Sequence, residues 1–258
     1  MIAACTCALI LLSSHSVNPS GNLVHASLET KARAPRAVPY RIYLTFDDGP
    51  CSGSEEVNEL SAKDSLQINV FLIGSNVCLT QKSRDRFRQY QANSFVEIGN
   101  HSYTHAERKY DSYFNRPSGV LADFNRSRDS LGLENGLARL PGRNFFRLDS
   151  CSRNEPGNGK EAADTLAASG YRVFGWDLEW RNHAGKGIGT HTGQEMFDLV
   201  NRMVESQKTF LPGHLIILLH DQELRDDRFR ANLEEFIRLV KEDGRYCFGH
   251  LSDYNSKK

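Results

Sequence analysis

The sequence predicts a parallel α/β architecture in a single, TIM-like domain, and three observations carry that prediction. From residue 40 onward, short apolar runs alternate with amphipathic stretches about seven times, the pattern of strand followed by helix. Polar residues of catalytic type, among them Asp47, Asp48, His101, Arg139, Asp177 and His220, stand at the C-terminal ends of the apolar runs. In a barrel of parallel strands those ends form one rim, where groups distant in sequence meet. Finally, the chain has no fixed-period repeat, coiled-coil heptad or low-complexity tract that would point to another architecture.

The elements follow in order. Residues 41–46 read as a strand ending at the Asp47-Asp48 pair. Ser54 reads as the N-cap of a short helix reaching to about residue 63, with Glu55 and Glu56 in its first turn. A buried strand at 69–73, a polar-faced helix at 80–92 and a strand at 95–98 lead into the first histidine of a pair. A helix at 119–131 precedes a short strand at 138–140. A helix at 161–168, closed by Gly170 in the C′ position, precedes a strand at 171–176. Residues 194–205 are helical in pattern, and 214–219 form the most strand-like run, ending at His220. An amphipathic helix at 229–242 stops at Gly244, and 246–251 reads as a last strand.

Composition narrows the partner. Lys plus Arg and Asp plus Glu number 32 each, so no basic stripe supports nucleic-acid binding and no acidic surplus marks a disordered tail. A neutral partner such as a sugar fits better. Residues 1–14 are small and apolar, too short to span a bilayer and the size of a signal-peptide core. Residues 1–25 are therefore read as a signal peptide, 26–39 as a polar linker and 40–258 as the catalytic domain of an exported monomer without a transmembrane span. Loss of the leader removes Cys5 and Cys7 and leaves Cys51, Cys78, Cys151 and Cys247, which can pair in three ways or remain thiols.

Two strings carry the chemistry: Thr45-Phe46-Asp47-Asp48-Gly49-Pro50 and His101-Ser102-Tyr103-Thr104-His105. One carboxylate with two imidazoles is the open three-ligand set of a catalytic divalent metal, and a second carboxylate beside it can take a proton from water. Asp48, His101 and His105 are read as the ligands and Asp47 as the base. Zinc is the default metal for two nitrogens and one oxygen, with other first-row metals compatible.

These strings resemble the first two motifs of the polysaccharide deacetylases with a NodB-type domain, carbohydrate esterase family 4. Leu215-Ile216-Ile217-Leu218-Leu219-His220-Asp221 is similar to the fifth motif, Arg139-Leu140-Pro141 to the third, and Trp176-Asp177-Leu178-Glu179-Trp180 to the fourth. The resemblance implies a distorted (β/α) barrel of about seven strands and removal of N-acetyl groups from amino sugars of a polysaccharide, peptidoglycan first and chitin-like chains or an exopolysaccharide second. Other amides on the same scaffold, or a carbohydrate-binding domain without activity, are the competing readings. It further implies that His220 is the general acid, that Arg139 holds Asp47, and that Trp180 supplies an aromatic wall. Either Asp177 or Glu179 would partner His220, with Asp177 favoured. Where the family commonly has an aromatic after Pro141, this chain has Gly142. Its N–H is expected to serve an oxyanion, and the cleft is expected to be more open there unless Phe145 fills the space. The loop 181–193, with His183 and His191, would rim the cleft or stand apart from it.

Overall fold

The computed structural model describes residues 39–149, 151–181 and 191–254. The expected leader, all of the linker but Pro39, Cys5, Cys7 and His183 lie outside the described residues. The strands are β1 (Tyr40–Gly49), β2 (Ile68–Leu72), β3 (Val96–Asn100), β4 (Leu137–Ala138), β5 (Phe146–Leu148), β6 (Cys151–Arg153), β7 (Arg172–Val173), β8 (Leu178–Glu179), β9 (His214–His220) and β10 (Tyr246–Phe248). They form one sheet in the order β6-β5-β7-β4-β3-β2-β1-β9-β8, with β10 also paired to β1. The helices are α1 (Ser54–Asp64), α2 (Gly74–Leu79), α3 (Gln81–Ala92), α4 (Tyr110–Phe114), α5 (Pro117–Leu131), α6 (Lys160–Ala168), α7 (Gly193–Glu205) and α8 (Asp227–Glu242). The predicted α/β class and distorted barrel are borne out, with a sheet that curls as a half-barrel.

Alternation along the strands sorts side chains between two faces. Ile42, Leu44 and Phe46 of β1, Val70 and Leu72 of β2, and Leu215, Ile217 and Leu219 of β9 share one core with α8 residues Phe229, Leu233, Phe236, Ile237 and Val240. The α8 residues recur at helical spacing, which gives that helix one apolar stripe. Tyr43, Phe71 and Ile216 point the other way, into a second core with Phe146, Phe174, Leu251 and Tyr254. Asp47 and His220 continue this second set, and the parallel register of β1 and β9 pairs them directly.

Several expectations shift. The strand expected at 171–176 is two residues long, and β5 and β6 form an unforeseen antiparallel pair with β5 also antiparallel to β7. Helix α2 fills the gap between β2 and α3. Gly53, not Ser54, occupies the N-cap of α1, because the Ser54 hydroxyl is drawn to Asp221. Cys51, Cys78 and Cys247 are free thiols, so the four cysteines are not joined in two bridges.

Candidate active site

Both carboxylates of the first motif reach the same cleft although neighbours on a strand face opposite sides. The register between β1 and β2 slips between Asp47 and Gly49, and Asp48 takes φ 73°, in the left-handed region. This bulge rotates Asp48 to the side that Asp47 already faces. The positive φ of a non-glycine residue is backbone strain of the kind found at functional sites.

His101 follows β3, and His105 opens a turn in which His105, Ala106, Glu107 and Arg108 all have positive φ. Asp123 of α5 holds that loop: its Oδ2 accepts from the Tyr103 and Thr104 amides at 3.2 Å and from the Thr104 and Tyr113 hydroxyls at 3.0 Å. Nothing in the sequence spacing marked Asp123.

Asp48 Oδ1 lies 3.5 Å from His101 Nε2 and 3.1 Å from His105 Nε2. Metal bonds of about 2.0–2.1 Å at tetrahedral angles set ligand atoms roughly 3.3 Å apart. Among the described residues, Asp48, His101 and His105 form a group whose donor atoms all lie within 4.8 Å of one another. His101 Nδ1–H donates to the Arg139 carbonyl at 2.9 Å, and since a carbonyl only accepts, the lone pair is left on Nε2, facing the site. Asp48 Oδ1 is buried and faces only these two imidazoles, as a ligand atom would. The donors present thus fit a small divalent cation.

Charge supports the fit. Burial works against ionisation of Asp48, but hydrogen bonds and charge from His101 and His105 outweigh it and hold its carboxyl well below the usual range. Burial likewise disfavours charge on His101, and the Asp47 and Asp48 carboxylates override it and raise its pKa. A site that holds protons this way also favours a cation in their place.

Arg139 is fully buried and donates to Asp47 Oδ1 and Thr45 Oγ1, both at 2.8 Å, and to the Phe174 and Gly175 carbonyls at 3.2 and 3.0 Å. Burial lowers its pKa, and the Asp47 charge opposes that fall. The other Asp47 oxygen, Oδ2, stands 3.6 Å from His101 Nε2. Arg139 therefore fixes one oxygen of the carboxylate and leaves the other turned to the ligand set.

His220 lines the same cleft of about 170 Å³ as Asp47, Asp48, His101, His105 and Gly142. Its expected partner is elsewhere. Asp177 accepts from the Phe210 amide at 2.7 Å and the Ile216 amide at 2.9 Å. Level with Ile216, it lies four residues short of His220, about 13 Å down the strand at 3.3 Å per residue. Burial raises its pKa against those two amide bonds. Glu179, two residues further along, pairs with Arg181. Neither acid reaches His220, whose Nδ1 is buried without a hydrogen-bond partner.

Trp180 is also not at the cleft. It is fully buried, tilted on Phe229 and edge-on to Phe236 with centroids 5.4 and 5.6 Å away. Strand alternation puts Leu178 and Trp180 on the helix-covered face. Trp176 lines the cleft instead. Asn144 brackets its backbone, accepting from its amide at 2.9 Å and donating to its carbonyl at 3.0 Å. Phe145 is fully buried in the core with Phe114 and Leu140 and does not line the cleft. Leu218, Tyr110, Arg181, Gln222 and Glu223 complete the lining, and the last four were not marked by motif spacing.

Residues 36–134 match the family model described as polysaccharide deacetylase, which agrees with the resemblance read from the motifs. Among solved structures, the chain is similar to a CE4 esterase of Streptococcus mutans, with 22% identity and a TM-score of 0.61, covering 82% of this chain and 85% of that one. It is similar to the catalytic domain of a peptidoglycan N-acetylglucosamine deacetylase of Eubacterium rectale, with 18% identity and a TM-score of 0.60, over 88% and 94%. A chitin deacetylase of Colletotrichum lindemuthianum matches at 18% identity and a TM-score of 0.54, over 82% and 86%. No curated protein matches the chain. At these identities the structural likeness establishes the fold.

Proposed function

We propose, from the match of residues 36–134 to the polysaccharide deacetylase family model and the likeness of the fold to a family 4 carbohydrate esterase, that this chain is a metal-dependent hydrolase of N-acetylated amino sugars in a cell-wall polymer. The observation that carries the reading is the convergence of Asp47, Asp48, His101, His105 and His220 on one cleft, with Arg139 clamped behind Asp47. Asp48, His101 and His105 would hold the cation, zinc by donor type. When bound, such an ion supplies Lewis acidity to the amide carbonyl and acidifies water.

The protein's own groups then divide the proton transfers. Asp47 accepts a proton from the water that adds to the acetyl carbon. Arg139 holds that carboxylate in orientation. The Gly142 N–H is the proposed donor to the oxygen that gains charge as the carbon becomes tetrahedral. His220 gives a proton to the sugar nitrogen as the C–N bond breaks, so that an amine leaves and acetate remains.

Peptidoglycan N-acetylglucosamine is the proposed substrate, supported by the peptidoglycan deacetylase among the similar folds and by a leader-like segment at 1–25 that would export the enzyme to the periplasm or beyond. Mass spectrometry of peptidoglycan fragments and chitooligosaccharides after incubation with the protein tests this. A loss of acetyl mass from peptidoglycan is expected. Acetate released only from chitooligosaccharides would reject the cell-wall substrate, and acetate from neither would reject the deacetylase reading.

A further inference from the structure

The glycine after Pro141 does not leave the cleft open. Gly142 has φ +60°, and a Cβ built on it would lie 3.4 Å from the ring of Tyr110. That ring comes from α4, on the segment that follows the histidine loop, and lines the same cleft as Asp47, Asp48 and His220. It meets His105 edge-on, with centroids 6.0 Å apart and planes at 84°. Its neighbours Tyr113 and Phe114 are buried in the core, so Tyr110 is the aromatic of this helix that reaches the cleft. The Arg143 guanidinium lies 5.8 Å from its centroid, and Trp176 belongs to the lining of the same cleft.

We propose that Tyr110 is a specificity-determining residue of this site: it supplies from α4 the aromatic surface that the third motif lacks, and a pyranose ring of the polymer rests against it. The inference deepens the deacetylase reading and rests on it. Aromatic faces take the apolar C–H face of a sugar while polar groups at the edge fix its orientation. Gly142 and Tyr110 then work as a pair. The glycine supplies a left-handed backbone that few residues adopt, and a Cβ there would sit at van der Waals contact with the ring.

The test is steady-state acetate release by the parent, Tyr110→Leu, Tyr110→Phe and Gly142→Asn, each with bound metal quantified. It is run on whichever of peptidoglycan or chitopentaose the parent turns over. Leucine keeps bulk but removes the aromatic face, so KM should rise about fivefold to tenfold with kcat and metal content little changed. Phenylalanine should behave as the parent, because the ring and not the hydroxyl is used. Asparagine tolerates the left-handed backbone and sets a polar amide against the ring where the sugar would rest, so Gly142→Asn should raise KM in the same direction and serves if Tyr110→Leu does not fold. A parental KM in Tyr110→Leu, or in Gly142→Asn should the first not fold, overturns the proposal while the deacetylase reading stands. So does a loss confined to kcat and accompanied by loss of metal, which would make the ring a prop for His105. A parent that releases acetate from neither substrate overturns both.

Discussion

Asp47 and Asp48 are chain neighbours with opposite surroundings, and the roles proposed for them follow that contrast. Asp47 is buried against a guanidinium and keeps one oxygen turned to the ligand set, whereas Asp48 faces two imidazoles through an oxygen that has no other partner. Asp47→Asn should therefore keep stoichiometric metal and lose deacetylation by at least about 100-fold, the span of a general base. Asp48→Asn should lose metal and activity together. Atomic absorption on the purified variants beside acetate release separates the two, and equal metal loss in both would undo the division of labour. Arg139 is bound to the same logic. Arg139→Met leaves the Asp47 carboxylate buried without its partner, a loss of about 3–5 kcal/mol that urea denaturation would read.

At the scale of elements, what could be read in the sequence is what period 2 and long apolar runs encode. β1 and β9 were legible because each is a long apolar run ending in a polar group, and their alternation places Asp47 and His220 on one face. The candidate metal ligands were legible because each motif brings its residues close through local backbone. The short strands, the antiparallel β5–β6 pair and the displacement of Asp177 from His220 were not, because they depend on register between distant segments. Asp177 shows the limit: one motif contains it and Trp176, yet the strand carries the carboxylate to Ile216 and the indole to the cleft. Asp123 lies outside any motif, and it ties α5 to a loop with four successive left-handed residues. Removing its oxygens in Asp123→Ala should release that loop and weaken metal binding on the order of 10–100-fold, as outer-shell partners of ligands do. Asp123→Asn retains one acceptor oxygen and should recover part of the loss. Chelator competition measures both, and parental affinity in Asp123→Ala would make the clamp irrelevant to the site.

Over the whole molecule, Asp221, directly after His220, joins the end of β9 to α1 and α3. Fully buried, it accepts from the Tyr90 hydroxyl of α3 at 2.8 Å and from the Ser54 hydroxyl of α1, while its Oδ1 has no partner. A buried carboxylate with one bare oxygen is costly when ionised. Burial accordingly raises its pKa to about 7, against the two hydroxyl bonds that lower it and with added repulsion from Asp48 and Asp47. The folded chain thus keeps a proton that the unfolded chain, with an ordinary carboxyl near 3.8, has already lost. Its contribution to stability is complete below pH 3.8, declines as pH rises through about 7 and is gone above it. At 1.36 kcal/mol per pKa unit the full decline is on the order of 4 kcal/mol. Asp221→Asn removes the titration while keeping the shape and one acceptor oxygen. With metal chelated in both proteins, urea denaturation at pH 5 and pH 8 should show the parent losing more stability across that interval than the variant. Parallel losses in the two would mean that Asp221 is ionised throughout, and that the layers meet around a charge and not around a proton.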